Sequence, residues 1–299
     1  MSDGLQLFDV PGPRGRFRYR LGSSLAISLL VILALVVLSR LYASSQFDWE
    51  RWSPIINPGD PDFIALWRSL GRGLLFTLQA AVLAVALSVV FGTILAIARN
   101  NSGRLVRVPL IGFIEVIRGL PMVIKIFFIA RVFPEIGLSL AGAPGGRFLW
   151  YLVIALTLYN TVIISEIIRA GIDSLPRGQR EAGEAIGLTR LQVMRFVVLP
   201  QAFKNMLPVL ISQLVVILKD TSIAAVVLGR YPELLRAASL AIQQLNNPLQ
   251  LFFVVGVIYV VINVLLARVS VYIEKRVAKS NAAPVSIENL AVTTKVKFL

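Results

Sequence analysis

Residues 181–200 read EAGEAIGLTRLQVMRFVVLP and separate two long apolar stretches of the chain. Glycine can leave the helical conformation without a Cβ penalty, so one short helix can end at Gly187 and a second can start near residues 188–189. The stretch therefore predicts a short helix–turn–helix, edged by arginines. Its defining positions are Glu181, Ala182, Gly183, Gly187, Leu199 and Pro200.

The composition is that of a membrane protein. Of 299 residues, 57% are hydrophobic and 15% are charged, whereas soluble domains carry roughly 25% charged residues. The absence of cysteine excludes disulfides and thiol chemistry, and the absence of histidine removes the commonest general base and zinc ligand. We therefore expect no catalytic residue, no metal site and no cofactor.

Six apolar stretches are long enough to cross a bilayer, which predicts an all-α, polytopic bundle of about six transmembrane helices. Arg118 and Lys125 interrupt the third stretch, and Lys219 and Asp220 interrupt the fifth. The stretches are 21–38, 73–98, 108–132, 148–168, 207–228 and 249–267.

The formal net charge of +14 is distributed around these stretches in an alternating pattern. Arginine and lysine crowd the segments before the first stretch and after the second, fourth and sixth, while the other connections are poor in both. Basic residues mark the cytoplasmic side of a membrane protein, so the pattern predicts a multi-pass protein with both termini in the cytoplasm. Topology explains the basic excess, and no nucleic-acid partner is expected.

The same pattern divides the chain into parts. We expect a flexible, basic cytoplasmic arm over residues 1–20 and an uncleaved anchor helix over 21–43, whose apolar core is longer than that of a signal peptide. One transmembrane domain covers 63–279 and opens with a short interfacial helix over 63–72. A flexible cytoplasmic tail covers 280–299.

The spacing within 181–200 resembles the EAA loop of the integral membrane subunits of bacterial ABC importers, the cytoplasmic segment that docks on the ATPase subunit. The chain departs from that loop at Gly183, where the family usually has alanine, and at Val197, where it usually has isoleucine. Further motifs are similar to the polar amino acid uptake subfamily, which includes histidine, glutamine and glutamate permeases. Those motifs are Thr77-Leu78, residues 115–121, Gly171-Ile172, Gly178-Gln179 and residues 219–222.

This resemblance implies a type I ABC importer permease whose coupling loop lies within 177–205. Glu181 would be a polar anchor at a helix start, Gly187 would permit the bend, and Pro200 would limit how far the second helix continues. The chain has no Gly-Lys pair and hence no phosphate-binding loop of the Walker A type, which assigns ATP hydrolysis to a partner. The implied partners, in the bacterial inner membrane, are two ATPase subunits, a second permease (identical or homologous) and an extracytoplasmic solute-binding protein.

Charged and hydroxyl groups inside the stretches are candidates for the solute pathway, because intramembrane charges usually face the bundle interior. Glu115 and Arg118 share a helix face and can neutralise each other, and Pro121 would bend or open that helix. Such pairs could instead be structural clamps or lie at the membrane interface. The candidates are Glu115, Arg118, Lys125, Glu166, Lys219, Asp220, Thr221 and Ser222.

Lys125 bears on the solute. It has no acidic residue three or four positions away, so we expect it to face water, another helix or an anionic ligand, or to extend to the interface. The subfamily usually has glutamine there, and threonine at Leu120. The lysine favours an acidic solute such as glutamate or aspartate. Unpaired carboxylates would favour a basic solute, and a neutral polar solute is a further alternative.

An ion-driven secondary transporter is the alternative from a different class. In that case Glu115, Glu166 and Asp220 would carry protons, and the single chain would transport without an ATPase. No internal repeat of the kind found in such transporters is visible, and the spacing within 181–200 favours the importer.

Overall fold

The computed structural model of the protein describes residues 12–281, in which every regular element is a helix. Twelve α-helices and one π-helical segment, Met194–Val198, follow one another along this range. The α-helices are α1 Pro13–Ala43, α2 Trp49–Ile56, α3 Phe63–Asn101, α4 Arg104–Gly119, α5 Met122–Glu135, α6 Arg147–Asp173, α7 Gly178–Ala185, α8 Arg190–Val193, α9 Leu199–Asp220, α10 Ile223–Val227, α11 Leu234–Leu245 and α12 Pro248–Asn281.

Five helical segments are long and apolar enough to cross a membrane: α1, α3, α6, the run Arg190–Val227 and α12. They correspond to the first, second, fourth, fifth and sixth predicted stretches. The prediction of an all-α, polytopic helical bundle is therefore confirmed.

The third predicted span, 108–132, is two helices instead of one. Gly119 ends α4 and Pro121 caps the start of α5, with Leu120 extended between them at φ −78° and ψ 133°. Proline disfavours the helical conformation in the residue before it, so the break falls at the position where Pro121 was predicted to bend or open the helix.

The two short helices nevertheless traverse the bundle together, antiparallel to α6. On α4, Ile114 packs with Val162 in the second half of α6. On α5, Phe133 lies edge-on to Tyr151 near the start of α6, with ring centroids 6.5 Å apart. The third crossing is therefore discontinuous, and the Leu120 carbonyl at its break accepts a hydrogen bond from the Lys125 side chain at 2.6 Å.

The centre of the bundle is α6. Of its apolar core, 61% is buried, against 33% or less for the other four spans. Against it α3 presents Ala80, Ala81 and Ala84, all fully buried. Small side chains let two helices approach closely, which is the usual basis of helix packing in membranes.

No side chain of α1 is buried, so α1 stands apart from the bundle as an apolar rod. Its outgoing end is nevertheless held in place. The Gln46 carbonyl accepts hydrogen bonds from Trp52 Nε1 at 3.1 Å and from Gln250 Nε2 at 2.5 Å. Asn247 Nδ2 donates to the Arg51 carbonyl of α2 at 3.2 Å, which ties the same connection to the start of α12.

Three predicted boundaries differ from the structure. The prediction of a flexible arm over 1–20 is wrong for residues 13–20, which form the first turns of α1, because Pro13 is well suited to a first helical position. Residues 1–11 lie outside the described range. The interfacial helix over 63–72 is continuous with α3. Since α12 continues to Asn281, the tail prediction concerns residues 282–299, which also lie outside the described range.

Candidate functional site

The segment 177–205, which we name the coupling segment after the loop it resembles, forms two short helices joined by a tight turn, as predicted. Gly187 follows α7 in the left-handed region at φ +88°, with open space where a Cβ would stand, so backbone conformation favours glycine here. Thr189 caps α8 through a reciprocal pair of hydrogen bonds with Gln192, its own N–H donating to Gln192 Oε1 at 2.8 Å. The turn is therefore defined by residues local to it.

Gly183 lies where α7 meets α8. A Cβ at this position would stand 2.9 Å from Cγ2 of Val193, which is closer than carbon atoms normally approach. The glycine thus lets α7 close onto α8, and the alanine typical of the family would require Val193 to shift.

Pro200 does not end the second helix, so that prediction is wrong. Residues Met194–Val198 take a wider π-helical turn, and Pro200 occupies the first turn of α9. A wide turn just before proline accommodates both its ring and its missing N–H. As a result α8, the π turn and α9 form one nearly continuous rod, which leads from the turn at Gly187 into the membrane domain.

The base of the coupling segment packs on α6 through an apolar cluster. Val193 and Met194 lie against Ile168 and Ile172 in this cluster. Gln201 Nε2 donates to Gln179 Oε1 at 3.2 Å, which joins α7 to α9. The full set of buried members is Ala96, Ile164, Ile168, Ile172, Val193, Met194, Val198, Leu199 and Ala202.

The outward side, which we name the coupling face, comprises Glu181, Ala182, Ile186, Leu191 and Phe196, all exposed. The three large apolar side chains are 77%, 60% and 61% exposed, respectively. Exposed apolar clusters on a surface mark contact sites. A cleft of about 560 Å³ adjoins the face, lined by Asn100, Asn101, Arg180, Glu184, Arg190, Leu191, Val193, Met194 and Val198.

Glu166 belongs to an ion network at the same end of the bundle. Its carboxylate forms a short ion pair with Arg99 of α3 and a second pair with Arg169 Nε at 2.8 Å. Arg169 also pairs with Asp173 at 2.6 Å. We name this network the α3–α6 brace. It gives Glu166 two positively charged partners, and the pair with Arg99 links α6 to α3 just before the coupling segment.

Glu115 and Arg118 pair with each other at 2.9 Å on the surface of α4. Both side chains are about half exposed, at 55% and 54%. Both side chains therefore face outward from this chain and lie outside the interior of its bundle.

Lys125 is buried, with 3% of the residue exposed. Its ammonium donates to the Leu120 carbonyl at 2.6 Å and lies 4.1 Å from the centroid of the Tyr159 ring. That carbonyl belongs to the break between α4 and α5. Lys125 therefore does not extend to the interface; it faces α6, and among the side chains described in residues 12–276 it forms no ion pair.

Residues 219–222 lie at the end of the bundle opposite the coupling segment. Lys219 is exposed and Asp220 is half-buried. The Thr221 hydroxyl, fully buried, donates to the Leu218 carbonyl at 2.7 Å, and the Ser222 hydroxyl donates to the Lys219 carbonyl at 2.7 Å. Both hydroxyl protons are thus used within their own helical turn. The eight pathway candidates are spread over the length of the bundle and do not converge.

The sequence analysis missed a buried carboxylate, Glu233. It caps α11 by accepting the backbone N–H groups of Leu235 at 2.8 Å and Arg236 at 2.7 Å. Burial raises the pKa of Glu233 to about 7, although these hydrogen bonds and one from Tyr259 act to lower it. A glutamate directly before an apolar helical stretch was the signal that could have identified this cap.

Tyr259 connects that carboxylate to two of the recognised motifs. Its hydroxyl donates to Glu233 Oε2 at 3.4 Å and lies near the Thr77 and Thr221 side chains. Thr77 Oγ1 in turn accepts the Leu234 N–H at 3.1 Å. The motif threonines therefore belong to a buried polar cluster that joins α3, α9, α11 and α12.

A second missed pair lies between α6 and α9. Gln213 Nε2 donates to Asn160 Oδ1 at 2.8 Å, next to the tyrosine over which Lys125 lies. Asn160 is buried and Gln213 is half-buried, and neither amide carries an ionic charge that would single it out in an apolar sequence. Together with Lys125 they form a polar band in the middle of the bundle.

Comparisons with known proteins agree with this architecture. Residues 88–279 match the family of binding-protein-dependent transport system inner membrane components. The chain is 34% identical to the glutamate transport system permease protein GluD of Corynebacterium glutamicum, over 81% of this chain and 85% of the relative. It is 31% identical to the arginine transport system permease protein ArtQ of Bacillus subtilis, over 70% and 92% of the two chains.

A solved structure supports the same assignment. The crystal structure of an amino acid ABC transporter with histidines contains a chain that is 29% identical and superposes with a TM-score of 0.63. The match covers 72% of this chain and 96% of that one. The coupling segment, the spans and these matches together show that the chain belongs to the family of binding-protein-dependent transport system inner membrane components, the permeases of ABC importers.

Proposed function

We propose that this chain is the permease subunit of an ATP-driven importer of polar amino acids, with glutamate and aspartate as its solutes. It lies in the bacterial inner membrane with both termini in the cytoplasm. It assembles with a second permease, identical or homologous, and with two ATPase subunits and an extracytoplasmic solute-binding protein. Family membership and the exposed coupling face support this assembly.

In this proposal each ATPase subunit binds a coupling face. Movement of the ATPases shifts α7 and α8, and the nearly continuous helical rod carries the shift through the π turn into α9. The α3–α6 brace keeps the other two helices together during the shift. The bundle then alternates between outward-open and inward-open states by rigid-body movement of the paired permeases.

The proposal of an acidic solute rests on the charge balance of the pathway candidates. Glu115 and Glu166 are already neutralised by arginines, whereas Lys125 forms no ion pair in the described part of the chain. Its partners are a carbonyl at the helix break and an aromatic face. A solute carboxylate can replace the carbonyl when the break opens, while a cationic solute would be repelled. The similarity to a glutamate permease agrees with this charge balance.

Uptake by the reconstituted complex tests the proposal. We expect unlabelled aspartate to compete with labelled glutamate, and arginine not to compete. Lys125→Gln should lower the apparent affinity for glutamate about tenfold or more, because a hydrogen bond to a charged group contributes roughly 1.5–3 kcal/mol. Assembly, measured by co-purification of the ATPase, should be retained. Arg268→Gln, which removes an exposed charge elsewhere, is the control.

A basic solute is the second candidate, because the chain is also similar to an arginine permease and because Asp220, half-buried, forms no ion pair with the side chains described in residues 12–276. Competition by arginine or lysine, with no effect of aspartate, would establish this candidate and exclude the acidic solute.

A further inference from the structure

Three arginines line one cleft at the end of the bundle opposite the coupling segment. Arg131 lies near the end of α5, Arg147 is the first residue of α6, and Arg230 follows α10. The 27 residues of α6 separate Arg147 from Asp173, which directly precedes the coupling segment. At 1.5 Å per residue this separation is about 40 Å, so the cleft and the coupling face lie on opposite sides of the membrane domain.

The cleft is concave and has an apolar floor. Its volume is about 360 Å³, and its other lining residues include Phe148, Tyr151 and Leu228. The Tyr151 hydroxyl donates to the Ser139 carbonyl at 2.6 Å, which holds the floor to the connection between α5 and α6. None of the described residues that line the cleft is acidic.

The positive charges of the cleft have no counter-charge within the described part of the chain. All three arginines are exposed, and none of their guanidinium groups lies within 4 Å of a carboxylate there. Arg131 lies over Phe127 at 5.4 Å and Arg147 lies over Phe148 at 5.0 Å, measured to the ring centroids. Stacking orients a guanidinium plane while leaving its N–H donors free for planar anions such as carboxylates.

Exposed apolar side chains are neighbours in the chain of the cleft residues. Ile136, Leu138 and Val226, adjacent in sequence to cleft elements, are 62%, 49% and 82% exposed. A mixture of arginine and large exposed apolar side chains is typical of protein interfaces, whereas a free ion needs no apolar surround. The surface therefore fits a protein partner.

We propose that this arginine cleft is the docking point of the solute-binding protein, and that it receives carboxylates from an acidic patch on that protein. The inference rests on the proposed function, because the cleft must face the extracytoplasmic side. Membership of a binding-protein-dependent family supports the existence of such a partner. The cleft indicates where on this chain the partner binds and by which chemistry.

The test uses the complete permease–ATPase complex in proteoliposomes, with the concentration of solute-loaded binding protein varied at saturating ATP. Uptake and stimulated ATP hydrolysis should both give a half-saturating concentration of binding protein. Each of Arg131→Gln, Arg147→Gln and Arg230→Gln should raise that concentration roughly three- to tenfold, and the triple variant by about fiftyfold or more. Maximal rates should be retained, and added salt should weaken the wild type more than the triple variant.

Two further variants sharpen the result. Arg68→Gln removes an exposed arginine near the start of α3, at the same end of the bundle but outside the cleft, and should leave the half-saturating concentration unchanged. Replacing all three cleft arginines with lysine keeps the charge, so this variant should retain most of the affinity that the glutamine variant loses. Rescue by lysine shows that the glutamine variant fails through lost charge and not through misfolding.

An unchanged dependence on binding protein in the triple glutamine variant would overturn the docking site while leaving the proposed function intact. A changed dependence on the solute alone, at constant dependence on binding protein, would also overturn it, because the arginines would then bind the solute. If the wild type itself takes up no amino acid with binding protein and ATP, the proposed function fails instead.

Discussion

Glu166 and Glu233 are carboxylates in two contrasting surroundings. Glu166 is flanked by two guanidinium groups, of Arg99 and Arg169, and remains partly exposed. Glu233 is fully buried, and its recorded partners are two backbone N–H groups and a tyrosine hydroxyl. Because a cation stabilises the charged form and burial disfavours it, the two residues contribute to stability in different ways.

Glu166→Gln should destabilise the protein by about 1–3 kcal/mol, because it leaves Arg99, only 19% exposed, without its counter-charge. Glu115→Gln is the matched control, since its pair is about half exposed and should be worth less than about 1 kcal/mol. Thermal unfolding of the purified protein in detergent measures both. Equal shifts for the two variants would contradict a bracing role for Glu166.

Glu233 should make stability depend on pH. Its folded pKa of about 7 exceeds the ordinary value of 4.5, so between these values the folded state binds more protons than the unfolded state. Stability should therefore fall as the pH rises from about 4.5 through 7 and level off above, by on the order of 3 kcal/mol in total. Glu233→Gln should remove this part of the slope in unfolding midpoints measured from pH 5 to 8.5. An unaltered slope in the variant would show that other groups cause it.

At the scale of elements, the coupling segment combines a left-handed turn at one residue with close packing around it. Gly187 adopts a left-handed conformation with open space where a Cβ would stand, whereas Val193, six residues on, is buried against α6. The wide turn before Pro200 keeps α8 and α9 in line. Force applied to α7 therefore reaches the membrane domain through packed helices.

Gly187→Trp should abolish ATP-driven uptake and co-purification of the ATPase while leaving the chain in the membrane. A tryptophan at φ +88° is strained by about 1–2 kcal/mol, and its side chain would project from the turn beside the coupling face. Gly187→Asn is the control, since asparagine tolerates this conformation and should retain most of the uptake. Normal uptake by the tryptophan variant in vesicles would refute the coupling role of this turn.

At the scale of the whole molecule, the single chain leaves large apolar surfaces uncovered. Every side chain described in α1 is outside the core, and α3 exposes Leu75, Val82 and Phe91. Such surfaces require lipid or another membrane subunit to cover them. In the proposed topology, the five spans and the discontinuous third crossing bring the start of α1 and the end of α12 to the same side.

Single cysteines should report that topology, because the native chain has none. Ser44→Cys, at the outgoing end of α1, should react with an impermeant thiol reagent added outside intact cells whose outer barrier is permeabilised. Asn101→Cys, exposed at the end of α3 near the coupling segment, should react only after the inner membrane is opened. The reverse pattern would place the termini outside and refute the proposed orientation.

What the sequence by itself determined follows from local rules. The lengths of the apolar stretches predicted the five continuous spans. Pro121 predicted the break in the third crossing. The turn at Gly187 and the helix start near Thr189 were likewise predictable, because one backbone conformation and one capping pair specify them. Each of these features depends on residues only a few positions apart.

Only the tertiary structure decided which distant groups meet. Arg99 and Glu166 pair across 67 positions, and the carboxylate of Glu233 shares a polar cluster with a threonine 156 positions earlier. The sequence left open whether Lys125 faces water, another helix, a ligand or the interface; it lies over a ring on α6 and donates to the carbonyl freed by the helix break. The arginine cleft likewise brings together residues from α5, from α6 and from the segment after α10. Such contacts depend on how the helices pack and rotate against each other, which hydropathy and local spacing do not specify.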